Sequence, residues 1–129
     1  PNIQKYAELF GLWDDLAQPI SSYSHGMKQK LALIAALMHE PQLIIMDEPF
    51  VGLDPKAAHL LKELMREMCR EGAAIFFSTH VLEVAEKLCD KIIIINHGKT
   101  IFYGTLDELT NRYPDMDLEK IFLEMTAHE

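Results

Sequence analysis

The sequence predicts an α/β fold in which a mostly parallel sheet is flanked by helices. Two short apolar runs, residues 43–46 and 73–77, have the length and composition of buried strands. A segment whose apolar residues have helical spacing lies between them, so the chain alternates strand, helix and strand. This alternation is typical of parallel strands joined by crossover helices. Because both runs are unbroken, we also expect these strands to be covered on both faces of the sheet.

The first part of the chain is predicted to be helical. Residues 3–10 have an apolar face at helical spacing, and Gly11 ends this helix. After a connector at residues 12–20, a second helix is predicted over residues 27–39, because Pro41 prevents it from continuing. Most of the second helix is expected to be buried, through Leu31, Leu33, Ile34, Ala35, Leu37 and Met38.

Cap residues mark the ends of the helix between the two strands. Asp54 followed by Pro55 predicts a helix start, since aspartate caps first-turn N–H groups and proline suits the first helical position. Gly72 predicts its end. The expected inward face of this helix consists of Ala57, Leu61, Leu64, Met65 and Met68.

The last third of the chain is predicted to contain a hairpin between helices. A helix is expected over residues 81–88, and residues 92–95 and 100–103 flank turn residues in a pattern that indicates a β-hairpin. A further helix lies near residues 106–112, and Asp117 opens the last one. The inward residues of the last helix are predicted to be Leu118, Ile121, Phe122 and Met125.

Composition and charge narrow the class of protein. The 129 residues are 49% hydrophobic, as in a globular domain, and the net charge is −8. The basic residues do not form a patch beyond Lys28 and Lys30, so we expect no nucleic-acid partner. Cys69 and Cys89 have neither metal-ligand nor redox spacing and are interpreted as packing residues.

The adjacent acids Asp47 and Glu48 end the first apolar strand. Ligands of open α/β sheets bind at the carboxyl ends of the strands. Neighbouring strand residues point to opposite sides, so one acid can hold Mg²⁺ while the other orients or deprotonates a water molecule. The alternative is a solvated pair at a strand end.

Two further positions have chemistry that suits phosphate. Ser24 and Gly26 precede an apolar helix, whose N-terminus attracts anions through its unpaired N–H groups. The alternative for Ser24 is an ordinary helix cap. His80 follows the second strand, where it can donate a hydrogen bond to a phosphate; the alternative is a structural or solvated histidine.

Taken in order, these motifs resemble the ATP-hydrolysing domain of ABC transporters. Residues 23–30 resemble its signature motif, residues 43–49 its Walker B strand, residues 52–55 its D-loop, and His80 its switch histidine. Tyr23, His25 and Met27 replace the first, third and fifth positions of the usual Leu-Ser-Gly-Gly-Gln. The Ser-x-Gly-Met-Lys-Gln form resembles one branch of the family.

The resemblance implies roles for individual residues. Asp47 would bind Mg²⁺, through water, and Glu48 and His80 would be catalytic. Asp54, in the D-loop, would couple two ATP sites across a dimer. The ATP of the partner subunit would be contacted by the signature residues Ser24, His25, Gly26 and Met27.

The sequence contains no Gly-x-x-x-x-Gly-Lys-Ser/Thr loop, which in the family cradles the phosphates. We therefore interpret the chain as the C-terminal part of one partial P-loop NTPase domain, with the end of a helical subdomain and the signature at 1–26. The catalytic core is expected at 27–104, and a C-terminal hairpin and helices complete the fold, with the last helices at 105–129. Alone, the chain is expected to lack ATPase activity.

The resemblance implies an ATPase subunit that uses ATP and Mg²⁺ to drive transport. Its expected partners are a second ATPase subunit, identical or different, and a separate transmembrane permease. Its expected location is cytoplasmic, on the inner face of the cell membrane. Two alternatives remain: a non-transport ABC ATPase that acts on DNA or ribosomes, and a regulatory fragment that has lost catalysis.

Overall fold

A computed structural model describes residues 2–127, which form two compact units. The first unit ends at Ser78 and the second begins at Thr79. The predicted α/β architecture is confirmed, with a parallel strand pair in the first unit and an antiparallel hairpin in the second.

The first unit contains three helices and two strands. The helices are α1 (Asn2–Leu9), α2 (His25–Leu37) and α3 (Pro55–Arg70), and the strands are β1 (Leu43–Asp47) and β2 (Ala74–Ser78). Short 3₁₀ turns at Trp13–Asp15 and Ile20–Ser22 join α1 to α2.

Strands β1 and β2 pair in parallel, with Leu43 opposite Ala74 and Asp47 opposite Ser78. Because this register aligns the two carboxyl ends, the acidic end of β1 lies beside the polar end of β2. Helix α3 connects the strands and contacts β2, as the alternation of elements predicts. The fold therefore places Asp47 beside Ser78, at the carboxyl end of the strand pair.

The expectation that both strands are covered on both faces is wrong for the part of the chain that the structure describes. Ile44 is 5% exposed, whereas Ile45 is 72% exposed and its partner Phe76 is 58% exposed. Successive strand residues point to opposite faces, so the first unit covers only one face of this strand pair. The unbroken apolar run thus identified the strands correctly but not their surroundings.

The second helix also differs from its prediction. Helix α2 begins at His25 and ends at Leu37, two residues earlier at each end than expected. It buries Leu33, Ile34 and Leu37, whereas Ala35 is exposed, so the prediction that most of its surface is buried is wrong. One stripe of large residues supplies the contacts, and the alanines at 32, 35 and 36 lie on the exposed side of the helix.

Helix α3 follows its predicted caps closely. Its first turn is capped by Asp54, whose carboxylate accepts a hydrogen bond from the N–H of Ala57 at 2.8 Å. Gly72, at φ 103°, follows the C-cap residue Glu71 in a conformation that glycine adopts readily. Ala57, Leu61 and Met65 are buried.

The second unit packs three helices around a hairpin. Strands β3 (Lys91–Asn96) and β4 (Lys99–Thr105) are antiparallel, and His97 and Gly98 both have positive φ in the predicted turn. Helices α4 (Leu82–Leu88), α5 (Leu106–Arg112) and α6 (Leu118–Ala127) complete the unit. Asp117 opens α6 as predicted, because its carboxylate accepts the N–H of Lys120 at 2.9 Å. The buried core consists of Ala85, Ile92, Ile94, Phe102, Leu109, Leu118 and Ile121.

Candidate functional site

The paired ends of β1 and β2 hold the two acidic residues. Asp47 is exposed and ends β1, and Glu48 follows it, half-buried, with φ 47°. This left-handed conformation is uncommon for a residue with a long side chain. The carbonyl oxygen of Ser78 accepts the N–H of Glu48 at 3.1 Å, which holds the backbone in place where the strand turns.

The side chain of Ser78 contacts both acidic residues. Its hydroxyl donates a hydrogen bond to Oδ1 of Asp47, and its Oγ also accepts the N–H of Glu48 at 3.2 Å. Sequence reasoning gave Ser78 no role of its own. The sequence did contain a signal for this contact. If the two strands pair in parallel, a residue at the carboxyl end of the second strand must lie beside Asp47 at the carboxyl end of the first.

A second contact connects this strand end to helix α2. The amide Nε2 of Gln29 donates a hydrogen bond to the carbonyl oxygen of Pro49 at 2.9 Å. Pro49 is buried and directly follows Glu48. Gln29 thus links the helix that carries the predicted signature residues to the loop after Glu48, a contact that the sequence alone did not indicate.

The predicted signature residues form the start of α2. Ser24 is the N-cap, and its Oγ accepts the N–H of Met27 at 3.1 Å, so the capping function is present. His25 and Gly26 occupy the first turn. Ser24 and His25 are exposed, and Gly26 and Met27 are half-buried.

The first turn of α2 lies directly against the predicted D-loop. A Cβ added to Gly26 would lie 2.8 Å from the carbonyl oxygen of Gly52, so only glycine fits without a shift. Gly52 has φ 83°, and a Cβ there would lie 2.8 Å from Cδ2 of His25. The structure therefore brings the predicted signature residues and the predicted D-loop together within the first unit.

The carboxylate of Asp54 caps helix α3 and also forms an ion pair. Its carboxylate lies 3.5 Å from Nζ of Lys30 in α2. The hydrogen bond from the N–H of Ala57 and, less strongly, the charge of Lys30 hold the pKa of the Asp54 carboxyl below its usual value. A carboxyl whose pKa is lowered by folding adds stability above its unfolded-state pKa, and this contribution is lost as the pH falls through the folded-state pKa.

His80 belongs to the second unit and is exposed in the turn between β2 and α4. The neighbouring Thr79 is fixed locally, because its Oγ1 accepts the N–H of Val81 at 3.0 Å. That His80 shares a site with Asp47 and Glu48 stays a prediction.

Comparisons with known proteins agree with this architecture. A family model described as "AAA domain, putative AbiEii toxin, Type IV TA system" matches residues 8–86. A solved ATP-binding subunit of an ABC transporter has a TM-score of 0.91 and 37% identity, and the match covers 96% of this chain and 52% of that one. A solved ATP-binding cassette of an ABC transporter, 24% identical with a TM-score of 0.68, shows the same fold over 94% of this chain and 48% of that one.

Two proteins of Bacillus subtilis (strain 168) are also similar. The ABC transporter ATP-binding protein NatA is 36% identical over 121 residues, which are 94% of this chain and 49% of NatA. The ABC-type transporter ATP-binding protein EcsA is 43% identical over 109 residues, 83% of this chain and 44% of EcsA.

The chain belongs to the AAA-domain family of the matching model, and its relatives confirm that it is part of an ABC ATPase domain. It spans about half the length of the curated relatives that it matches. Within residues 2–127, no helix has both the length and the apolar composition that a membrane span requires.

Proposed function

We propose that this chain supplies one half of the ATP-hydrolysing machinery of an ABC transporter subunit. The observation that carries the proposal is the paired end of β1 and β2, which presents Asp47 and Glu48 side by side at the carboxyl end of a parallel sheet. ABC ATPase domains in general bind ATP with Mg²⁺. We assign the binding of Mg²⁺ to Asp47 and the activation of water to Glu48.

The donor atoms at this strand end suit a hard cation. The exposed carboxylate of Asp47 offers oxygen atoms, which Mg²⁺ prefers, and Mg²⁺ commonly keeps several waters while bound through one or two carboxylates. Asp47 would therefore hold hydrated Mg²⁺, which when bound neutralises charge on the phosphates. Glu48 would orient the attacking water and accept its proton.

The start of α2 is proposed to contact ATP that is bound to a second ATPase subunit. Ser24 caps the N–H of Met27, and the other first-turn N–H groups of a helix are suited to phosphate oxygens. The close fit of Gly26 against Gly52 supports a joint surface made of the signature residues Ser24, His25, Gly26 and Met27 together with the D-loop that contains Asp54. We propose that Asp54 couples the two ATP sites through this surface.

The remaining assignments extend the same proposal. His80 would donate a hydrogen bond to the γ-phosphate and respond to its loss. The relatives are ATP-binding proteins of transporters, which supports a permease partner and a position on the cytoplasmic side of a membrane. We also propose the division into the end of a helical subdomain with the signature loop (1–26), a catalytic core (27–104) and C-terminal helices (105–129).

Glu48→Gln in an intact ATPase subunit that carries this sequence tests the proposal. Glutamine keeps the size of the side chain but cannot accept a proton from water, so ATP binding should persist while turnover falls by about 10²–10⁴-fold. The matched control is Glu63→Gln, because Glu63 is an exposed residue of α3 paired with Arg66. Near-normal hydrolysis by Glu48→Gln would remove Glu48 from the mechanism.

A further inference from the structure

The end of strand β2 contributes a residue that the proposed chemistry does not yet use. Ser78 lies opposite Asp47 in the parallel register, and its hydroxyl donates a hydrogen bond to Oδ1 of Asp47. The same Oγ accepts the N–H of Glu48 at 3.2 Å. One hydroxyl therefore contacts both acidic residues of the candidate site.

We propose that Ser78 is a positioning residue that orients Asp47 toward the metal and fixes the backbone of Glu48. This inference rests on the proposed function, because it concerns the same metal-dependent hydrolysis of ATP. It adds a residue of β2 to the two acidic residues at the end of β1.

The bonding capacity of a hydroxyl accounts for the double contact. A serine hydroxyl has one hydrogen to donate and two lone pairs that accept. Since the N–H of Glu48 can only donate, it must use a lone pair of Oγ, and the hydroxyl hydrogen remains for Asp47. A carboxylate oxygen accepts hydrogen bonds, so Oδ1 of Asp47 is a suitable partner for this hydrogen.

The carboxylate of Asp47 keeps its capacity for a metal. Ser78 uses Oδ1, and an ionised carboxylate has about four lone-pair sites on its two oxygens. A partner that fixes one oxygen reduces the rotation of the group and so orients the other. Residues of this kind around metal ligands determine both ligand orientation and metal affinity.

The backbone of Glu48 depends on the same residue. Its N–H is shared between the carbonyl oxygen of Ser78 at 3.1 Å and Oγ of Ser78 at 3.2 Å. At φ 47° Glu48 lies in a region that glutamate seldom adopts, so surrounding contacts must hold it there. A small displacement of a catalytic group lowers the rate strongly, because reacting atoms must be aligned.

Two substitutions separate the hydroxyl from the rest of the residue. Ser78→Ala removes both contacts of Oγ but leaves the carbonyl oxygen that accepts the N–H of Glu48. Ser78→Thr keeps a hydroxyl, and threonine is well suited to a strand. Ser22→Ala is the matched control, because Ser22 is an exposed serine whose hydroxyl donates to the carbonyl oxygen of Pro19 at 2.7 Å.

The experiment measures metal binding as well as turnover in an intact subunit. Mn²⁺ binding in the presence of ATP is titrated by electron paramagnetic resonance in a Glu48→Gln background, in which hydrolysis is blocked. We expect Ser78→Ala to weaken Mn²⁺ binding by about 10-fold to 100-fold. When Glu48 is left unchanged, Ser78→Ala should lower kcat with little change in the KM for ATP. Ser78→Thr should keep both the Mn²⁺ affinity and kcat near the values of the protein with Ser78. Ser22→Ala should change neither.

Several results would overturn the inference. Unchanged Mn²⁺ affinity in Ser78→Ala, even with a lower Tm, would reduce Ser78 to a structural residue. A Ser78→Thr variant as defective as Ser78→Ala would show that the hydroxyl is not the active feature. If the wild-type subunit hydrolyses ATP with metal and Ser78→Ala matches it, only this inference fails. If the wild type shows no metal-dependent hydrolysis, the proposed function fails with it.

Discussion

Replacing Gly26 with alanine tests how tightly the first turn of α2 contacts the D-loop. The new Cβ would lie 2.8 Å from the carbonyl oxygen of Gly52, and a backbone atom cannot rotate away as a flexible side chain can. Alanine is favoured over glycine in a helix by about 1 kcal/mol, whereas overpacking costs about 1–3 kcal/mol. The steric cost should exceed the helix gain, which gives a net loss of about 1 kcal/mol in the free energy of unfolding.

Chemical denaturation of an intact subunit measures this difference. Ala35→Gly is the calibrating control, because Ala35 is an exposed residue of the same helix and should report helix propensity alone, with a loss of about 1 kcal/mol. If Gly26→Ala stabilised the protein by the amount that Ala35→Gly destabilises it, the contact with Gly52 would not be tight. That result would refute the reasoning.

The same substitution has a functional consequence. To relieve the contact, the start of α2 and the loop at Gly52 must move apart, which separates two segments that we propose contact the partner subunit together. Hydrolysis by the assembled dimer should therefore fall, while ATP binding by the separated subunit should remain unchanged. Equal losses of binding and hydrolysis would contradict a role at the interface.

Two further predictions concern single side chains. His80→Ala should lower kcat for ATP much more than it weakens ATP binding, and an unchanged kcat would make His80 a structural residue. Asp54→Asn should leave the free energy of unfolding at pH 7 little changed, because asparagine is also a good cap. Below about pH 4 the variant should lose less stability than the wild type, because asparagine has no carboxylate to protonate. The lowered pKa of Asp54 is the cause, and identical acid-unfolding profiles of wild type and variant would contradict it.

The elements of the fold could be predicted because local signals determine them. Asp54 and Gly72 carry cap chemistry, and His97 with Gly98 carries turn chemistry, so these boundaries follow from neighbouring residues alone. The exposure of Ile45 and Phe76 could not be predicted, because it depends on what covers the sheet. An apolar strand has the same sequence whether one face or both are covered.

The candidate site was predictable in part for a similar reason. Asp47 and Glu48 were identified from residues adjacent in sequence, whereas the contacts of Ser78 with Asp47 and of Gln29 with Pro49 join residues 31 and 20 positions apart. Such contacts depend on strand register and helix packing, which the sequence pattern does not specify. The close approach of Gly26 to Gly52 was missed for the same reason, since it depends on how two loops pack.

Mixed dimers test the central claim, that Asp47 and Glu48 act on ATP in their own subunit while the signature residues act on ATP in the partner. Two tagged copies of the intact subunit, one with Ser24→Arg and one with Glu48→Gln, are co-expressed and dimers that carry both tags are purified. Each variant alone should be inactive. The mixed dimer should regain hydrolysis, because one of its two symmetric sites combines an unaltered Glu48 with the partner's unaltered Ser24. Mixed dimers as inactive as the single variants would contradict the account.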